Sequence, residues 1–201
     1  MCSEVNEGQG VCLWRRARPY DGRSCAHATE RLDRITIKGL CAQVPVARTT
    51  FYAHYANIDD VLEEVEGDLI CGLTDICERV SQGDLSHMDF YRFLDETLAF
   101  IQGRWPDFTA LVITQPDLRF IAKWKRAIKA NFARRYPELK MQPNFDLAAE
   151  MAASAAIGAY TYWLEHPENA QIEDTKRLVI HALEGVVSAI EGKVRTLLPS
   201  V

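Results

Sequence analysis

The chain has 201 residues, 48% of them hydrophobic and 25% charged, with a formal net charge of -5. That balance excludes a disordered polymer, and the length suits one domain, or a large one carrying a small appendage, better than two equal large ones. No apolar run approaches the roughly 18 residues of a membrane span, and Met1 to Gly10 holds two acids and no basic leader segment, so the expected location is cytoplasmic with no membrane partner.

Residues 1–22 lack sustained periodicity, contain Gly8, Gly10, Pro19 and Gly22, and cluster Arg15, Arg16 and Arg18; they read as a mobile basic arm. Residues 23–32 offer few apolar positions, namely Cys25, Ala26, Ala28 and Leu32. The pattern then sharpens. Thr36 is a good N-cap, and Ile37, Leu40 and Cys41 at i, i+3 and i+4 predict a short helix ending near Gln43. Val44-Pro45-Val46 breaks it, and a second short helix fits Ala47 to about Tyr55, with Val46, Phe51 and Tyr55 facing inward and Arg48, Thr49 and Tyr52 facing outward.

Two short helices about a tight turn can deliver the second into a DNA major groove. Arg48 suits a guanine edge or a phosphate and Thr49 is a short hydroxyl, while Tyr52 and His54 suit phosphate oxygens.

Asn57 is placed to cap a long helix reaching about Ser81, its apolar stripe being Val61, Leu62, Val65, Leu69, Leu73, Ile76 and Val80. Met88 to Gly103 repeats the helical pattern, Pro106 starts a short helix to about Thr114, and Asp117 caps another to roughly Tyr136. The basic run Arg119, Lys123, Lys125, Arg126 and Lys129 reads as the solvated face of that last helix. Two long helices close the chain, about Phe145 to Glu165, rich in alanine, and about Glu173 to Arg195, with Val179, Leu183, Val186 and Ile190 in a seam. Such a pair can bury its stripes within one subunit or in a four-helix dimer interface.

Charge is uneven: residues 1–57 hold eight Lys/Arg against five Asp/Glu, and 58–201 hold fifteen against twenty-three. One basic end on an acidic body can meet phosphate, whereas the whole surface cannot. The six cysteines show no C-x-x-C or zinc spacing and read as scattered thiols; Cys71 and Cys77 are too far apart for a disulfide in one straight helix. The five histidines form no H-x-x-x-H or E-x-x-H pair, and G-x-S-x-G and P-loop motifs are missing, so no catalytic residue, metal or cofactor is expected.

Ile35-Thr36-Ile37, Leu40-Cys41, Val44-Pro45-Val46 and above all Arg48-Thr49-Thr50-Phe51-Tyr52-Ala53-His54-Tyr55 resemble the signature of the tetracycline-repressor (TetR/AcrR) family, and Asn57 to Leu62 resembles the start of that family's connecting helix. The likeness covers about residues 30 to 62. It implies an all-α protein with a mobile arm over 1–22, a three-helix helix-turn-helix DNA-binding domain over 23–57, and a helical bundle for ligand binding and dimerisation over 58–201. The DNA-facing set is then Thr36, Lys38, Arg48, Thr49, Thr50, Tyr52 and His54. The implied function is a ligand-responsive repressor binding a palindromic double-stranded operator as a homodimer through its last two helices. A small-molecule effector needs a pocket, for which Phe100, Trp105, Trp124 and Tyr160, with Phe108, Phe132 and Trp163, are the candidate walls. A second reading, a helical small-molecule-binding or protein-interaction module that has lost operator binding, rests on the sparse apolar content of 23–32, on Ala47 where the family has a Ser/Thr cap, and on Ile58 where it commonly has lysine.

Overall fold

The computed structural model describes residues 36–43, 47–81, 90–168 and 171–191, and every regular element among them is helical. The arm and the segment expected over 1–32, the turn at 44–46, and the expected helix ends at 88–89 and 192–195 lie outside the described residues.

Thr36 opens α1 (Ile37–Gln43) by accepting the Gly39 N–H on Oγ1 at 3.1 Å, the bond an N-cap is selected for. Helix α2 (Arg48–His54) begins after Ala47, whose side chain offers no cap. Both short helices are held by few residues: Leu40, Phe51 and Tyr55 join Val61, Leu62 and Val65 in one apolar cluster.

Helix α3 (Ile58–Ser81) starts on a reciprocal cap, in which Asn57 Oδ1 accepts the Asp60 N–H and Asp60 Oδ2 accepts the Ala56 N–H. Its 24 residues make a rod of about 36 Å. All seven residues of the expected stripe are buried. Helix α4 (Phe90–Gly103) packs on α3 most closely at Gly72, where a Cβ would stand 2.4 Å from Phe100 Cζ. Only glycine leaves room for that ring.

The expected helix after Pro106 is α5 (Trp105–Phe108) running into a π-helical stretch, Thr109–Thr114, in which the Gln115 N–H reaches back five residues to the Ala110 carbonyl. Ala110, Leu111 and Val112 are buried there. Asp117 caps α6 (Leu118–Arg135) by accepting the N–H groups of Arg119 and Phe120, and a 3-10 turn, Pro137–Leu139, follows.

Helices α7 (Phe145–Glu165) and α8 (Ile172–Ile190) form the last layer. Ala148, Ala149, Ala152, Ala153 and Ala156 are buried, so α8 approaches closely and sets Leu183, Val186 and Ile190 against Phe132, Phe145 and Ala149 of its own chain. The α8 seam is used within the subunit.

The basic run of α6 differs from its expected role as a solvated face. Lys123 pairs with the buried Glu66 of α3 at 2.9 Å, Lys125 and Lys129 share Glu150 of α7 at 2.5 and 3.0 Å, and Arg134 pairs with Glu78. Acids on both neighbouring helices face this helix, which periodicity within α6 cannot reveal.

Candidate nucleic-acid interface and ligand cavity

Phe51 is 1% exposed and Tyr55 8%, and these two side chains fix the rotation of α2. At about 100° per residue, Thr49 and Ala53 then point most directly away from the core, flanked by Arg48 and Tyr52 on one side and Thr50 and His54 on the other. All five candidates on α2 are exposed, as are Thr36 and Lys38 at α1. Tyr52 is held edge-on against Phe51, with centroids 5.6 Å apart. Between Thr36 and Asn57 the sequence contains no Asp or Glu, so the two short helices themselves offer a phosphate two permanent cations, Lys38 and Arg48, and no anion.

The Tyr55 hydroxyl binds Glu64 Oε2 of α3, so the base of α2 is tied to the long helix. Further along, α3 is clasped to α6 by Lys123 and Glu66, and Asp68 joins Asp107 in holding Arg104 at 2.7 Å each. These contacts make one connected framework from α2 to α6.

A cavity of about 90 Å³ lies among α3, α4, α6, α7 and α8. Of the expected walls, Trp124, Phe132 and Tyr160 line it. Trp124 and Tyr160 stack at 5.6 Å with planes 5° apart. Phe100, Trp105, Phe108 and Trp163 are not among its walls. Phe100 is taken up by the slot over Gly72 and by an edge contact with Phe108, and Trp105 packs edge-on against Trp163 at 5.0 Å. Helical periodicity marks which face of a helix points inward, not the level of the bundle at which space is left.

Several walls were not expected as such from the sequence: Cys77, Phe90, Phe93, Thr97, Asn131, Arg135 and Tyr136. Thr97 had a readable signal, being a hydroxyl residue set between Phe93, Leu94, Leu98 and Ile101 on the apolar face of its helix. It is 3% exposed and its Oγ1 has no hydrogen-bond partner. Burial pushes the Cys77 thiol up to about 11 and raises the Tyr160 phenol above its ordinary range, so both stay neutral. Arg135 lies over the rings of Phe90 and Tyr136 at 5.6 and 5.5 Å.

Among the described residues no cluster of three or more His, Cys, Asp or Glu is arranged to hold a metal, no helix is long and apolar enough to cross a membrane, and Cys41, Cys71 and Cys77 are free thiols. No family model, curated protein or solved structure matches the chain.

Proposed function

We propose that the protein is a DNA-binding transcriptional regulator, a repressor that acts as a homodimer on a palindromic operator and is controlled by a small molecule. The observation that carries this reading is the second short helix: anchored from beneath by Phe51 and Tyr55, it leaves Arg48, Thr49, Thr50, Tyr52 and His54 exposed together on a helix that carries no acid of its own. The tetracycline-repressor-like T-F-Y-x-H-Y motif occupies that same helix. In this reading residues 23–57 are the helix-turn-helix reader and 58–201 the effector and dimerisation unit, and the sign, repression, is taken from the resemblance.

A homodimer is supported by the outer faces of the last two helices. Leu147, Met151, Ser154, Gly158 and Tyr162 follow steps of four and three along α7, Leu178, His181, Gly185 and Ala189 do the same along α8, and all are exposed. Exposed Leu147, Met151, Tyr162 and Leu178 supply apolar area, and the small residues Ser154, Gly158, Gly185 and Ala189 suit close helix packing across a two-fold axis. Two readers roughly 34 Å apart would meet successive major grooves.

The framework of contacts supplies a route for control. Trp124 of the cavity wall is adjacent in sequence to Lys123, which grips Glu66 on α3, and α3 holds Tyr55 at the base of α2. A ligand preferring a different placement of α6 would lower operator affinity by its difference in preference between the two states.

The test is selection of bound duplexes from a random pool, followed by titration of the winner at several salt concentrations. The expected result is a palindrome with a steep salt slope, and a loss of at least tenfold in affinity for the double variant Arg48→Ala, Tyr52→Ala. Unchanged binding by that variant would remove α2 as the reading surface. No enrichment from a folded dimer would select the module without operator binding, a reading favoured by one observation, the missing side-chain cap at Ala47.

A further inference from the structure

We infer, resting on the reading of the cavity as the effector site, that its occupant is a small uncharged aromatic molecule carrying one hydroxyl or carbonyl group. The size comes first. About 90 Å³ is less than the roughly 150 Å³ of an apolar cavity that takes a benzene, so the guest is at most a single ring and the walls must yield to admit it.

The walls set the chemistry. Phe90, Phe93, Trp124, Phe132, Tyr136 and Tyr160 supply ring faces and edges, which favour a planar aromatic guest by offset or edge-to-face packing. Among the described residues no acid lines the space, so a cation would find no countercharge in these walls. The one cation among the described walls, Arg135, is already engaged: its guanidinium lies over two rings and its Nε donates to the Tyr136 hydroxyl at 3.2 Å. An anion would have to dislodge it. Charge is therefore disfavoured in either sign.

A wholly apolar guest would waste what the walls offer. Thr97 Oγ1 is buried with no partner, a costly position that a ligand oxygen relieves. Tyr160 and Asn131 add two neutral groups that hydrogen-bond no described residue, and Tyr160 retains its proton because burial raises its phenol. Thr74 is different, since its hydroxyl is spent on the Ile70 carbonyl at 2.9 Å. The recognition is thus one polar atom on a ring, met by Thr97 and Tyr160.

The experiment is calorimetric titration of the full-length, DNA-free protein with phenol, toluene, benzoate and benzylamine at pH 7, repeated on Thr97→Val and Tyr160→Phe. Phenol is expected to bind about tenfold more tightly than toluene, with both charged probes weaker still. Thr97→Val, which keeps the shape, should lower phenol affinity about tenfold and leave toluene unchanged. Tyr160→Phe keeps the stacked ring on Trp124 and serves the same comparison should the first variant fold poorly. Tighter binding of benzoate or benzylamine than of phenol overturns the proposal, as does binding of no probe, or a phenol-to-toluene ratio that neither variant alters. Because the readout needs no operator, a chain that takes phenol but selects no duplex would leave this inference standing while removing the regulator.

Discussion

The Tyr55 hydroxyl donates a 2.6 Å hydrogen bond to Glu64 Oε2, tying the end of α2 to the second turn of α3. The other carboxylate oxygen, Oε1, is buried with no partner, so Glu64 depends strongly on this donor. Tyr55→Phe keeps the ring packed on Phe51 and removes only the donor. We expect a loss of about 1.5–3 kcal/mol in urea unfolding, the range for a hydrogen bond to a charged group. Amide exchange should accelerate first in α2, and equal acceleration along all helices would count against a local tie.

Lys123 and Glu66 make an asymmetric pair, Glu66 being 1% exposed and Lys123 32%. Removing the lysine strands a carboxylate in the core, whereas removing the carboxylate leaves a lysine free to turn toward Glu63, 3.7 Å away, and water. Lys123→Met should therefore cost about 3–5 kcal/mol and Glu66→Leu far less, because replacing a buried ion by an apolar side chain is often close to neutral. Equal losses would mean that burial of Glu66 is not what makes the pair matter.

The contact of Gly72 with Phe100 predicts a change of sign. Alanine is a better helix former than glycine by about 1 kcal/mol, yet its Cβ would meet the Phe100 ring at 2.4 Å. Overpacking of this kind costs about 1–3 kcal/mol, so Gly72→Ala should be neutral to destabilising in the wild-type chain. With Phe100→Ala already in place, the same substitution should stabilise by up to about 1 kcal/mol. A double-mutant cycle by thermal or urea unfolding measures the difference, and additive effects would deny the clash.

Much of this architecture was legible because its signals are local. Thr36, Asn57 and Asp117 mark helix starts by residue type, and each accepts the backbone bond expected of it. The α3 stripe was legible because one period of apolar residues runs unbroken for more than five turns. What was hidden depends on pairs of elements. The π-helical stretch at Thr109–Thr114 obeys no spacing visible in TALVIT, and the ion pairs of α6 need Glu66, Glu78 and Glu150 from two other helices. The cavity was half legible for the same reason. Trp124 and Tyr160 meet because α6 and α7 happen to be level there, while Phe100, of the same helical periodicity, is drawn into the gap left by a glycine on α3.

Asp117 gives the pH dependence its sign. Burial alone would raise its carboxyl, but the Arg119 guanidinium, together with the N–H groups of Arg119 and Phe120, pulls it below the ordinary carboxylate range. In the unfolded chain the group titrates near the ordinary value of about 3.9. The folded protein therefore holds the ionised form more strongly, and the resulting stabilisation is complete above the unfolded value and lost as pH falls through the lower folded one. Asp117→Ala removes both the cap and the ion pair, with an expected cost of about 1 kcal/mol near pH 7. That cost should stay constant down to about pH 5 and shrink as pH falls below the unfolded value of about 3.9. Urea unfolding of both chains across this range measures it, and a gap between them that widens with acid would reverse the assignment of Asp117 as a charged cap.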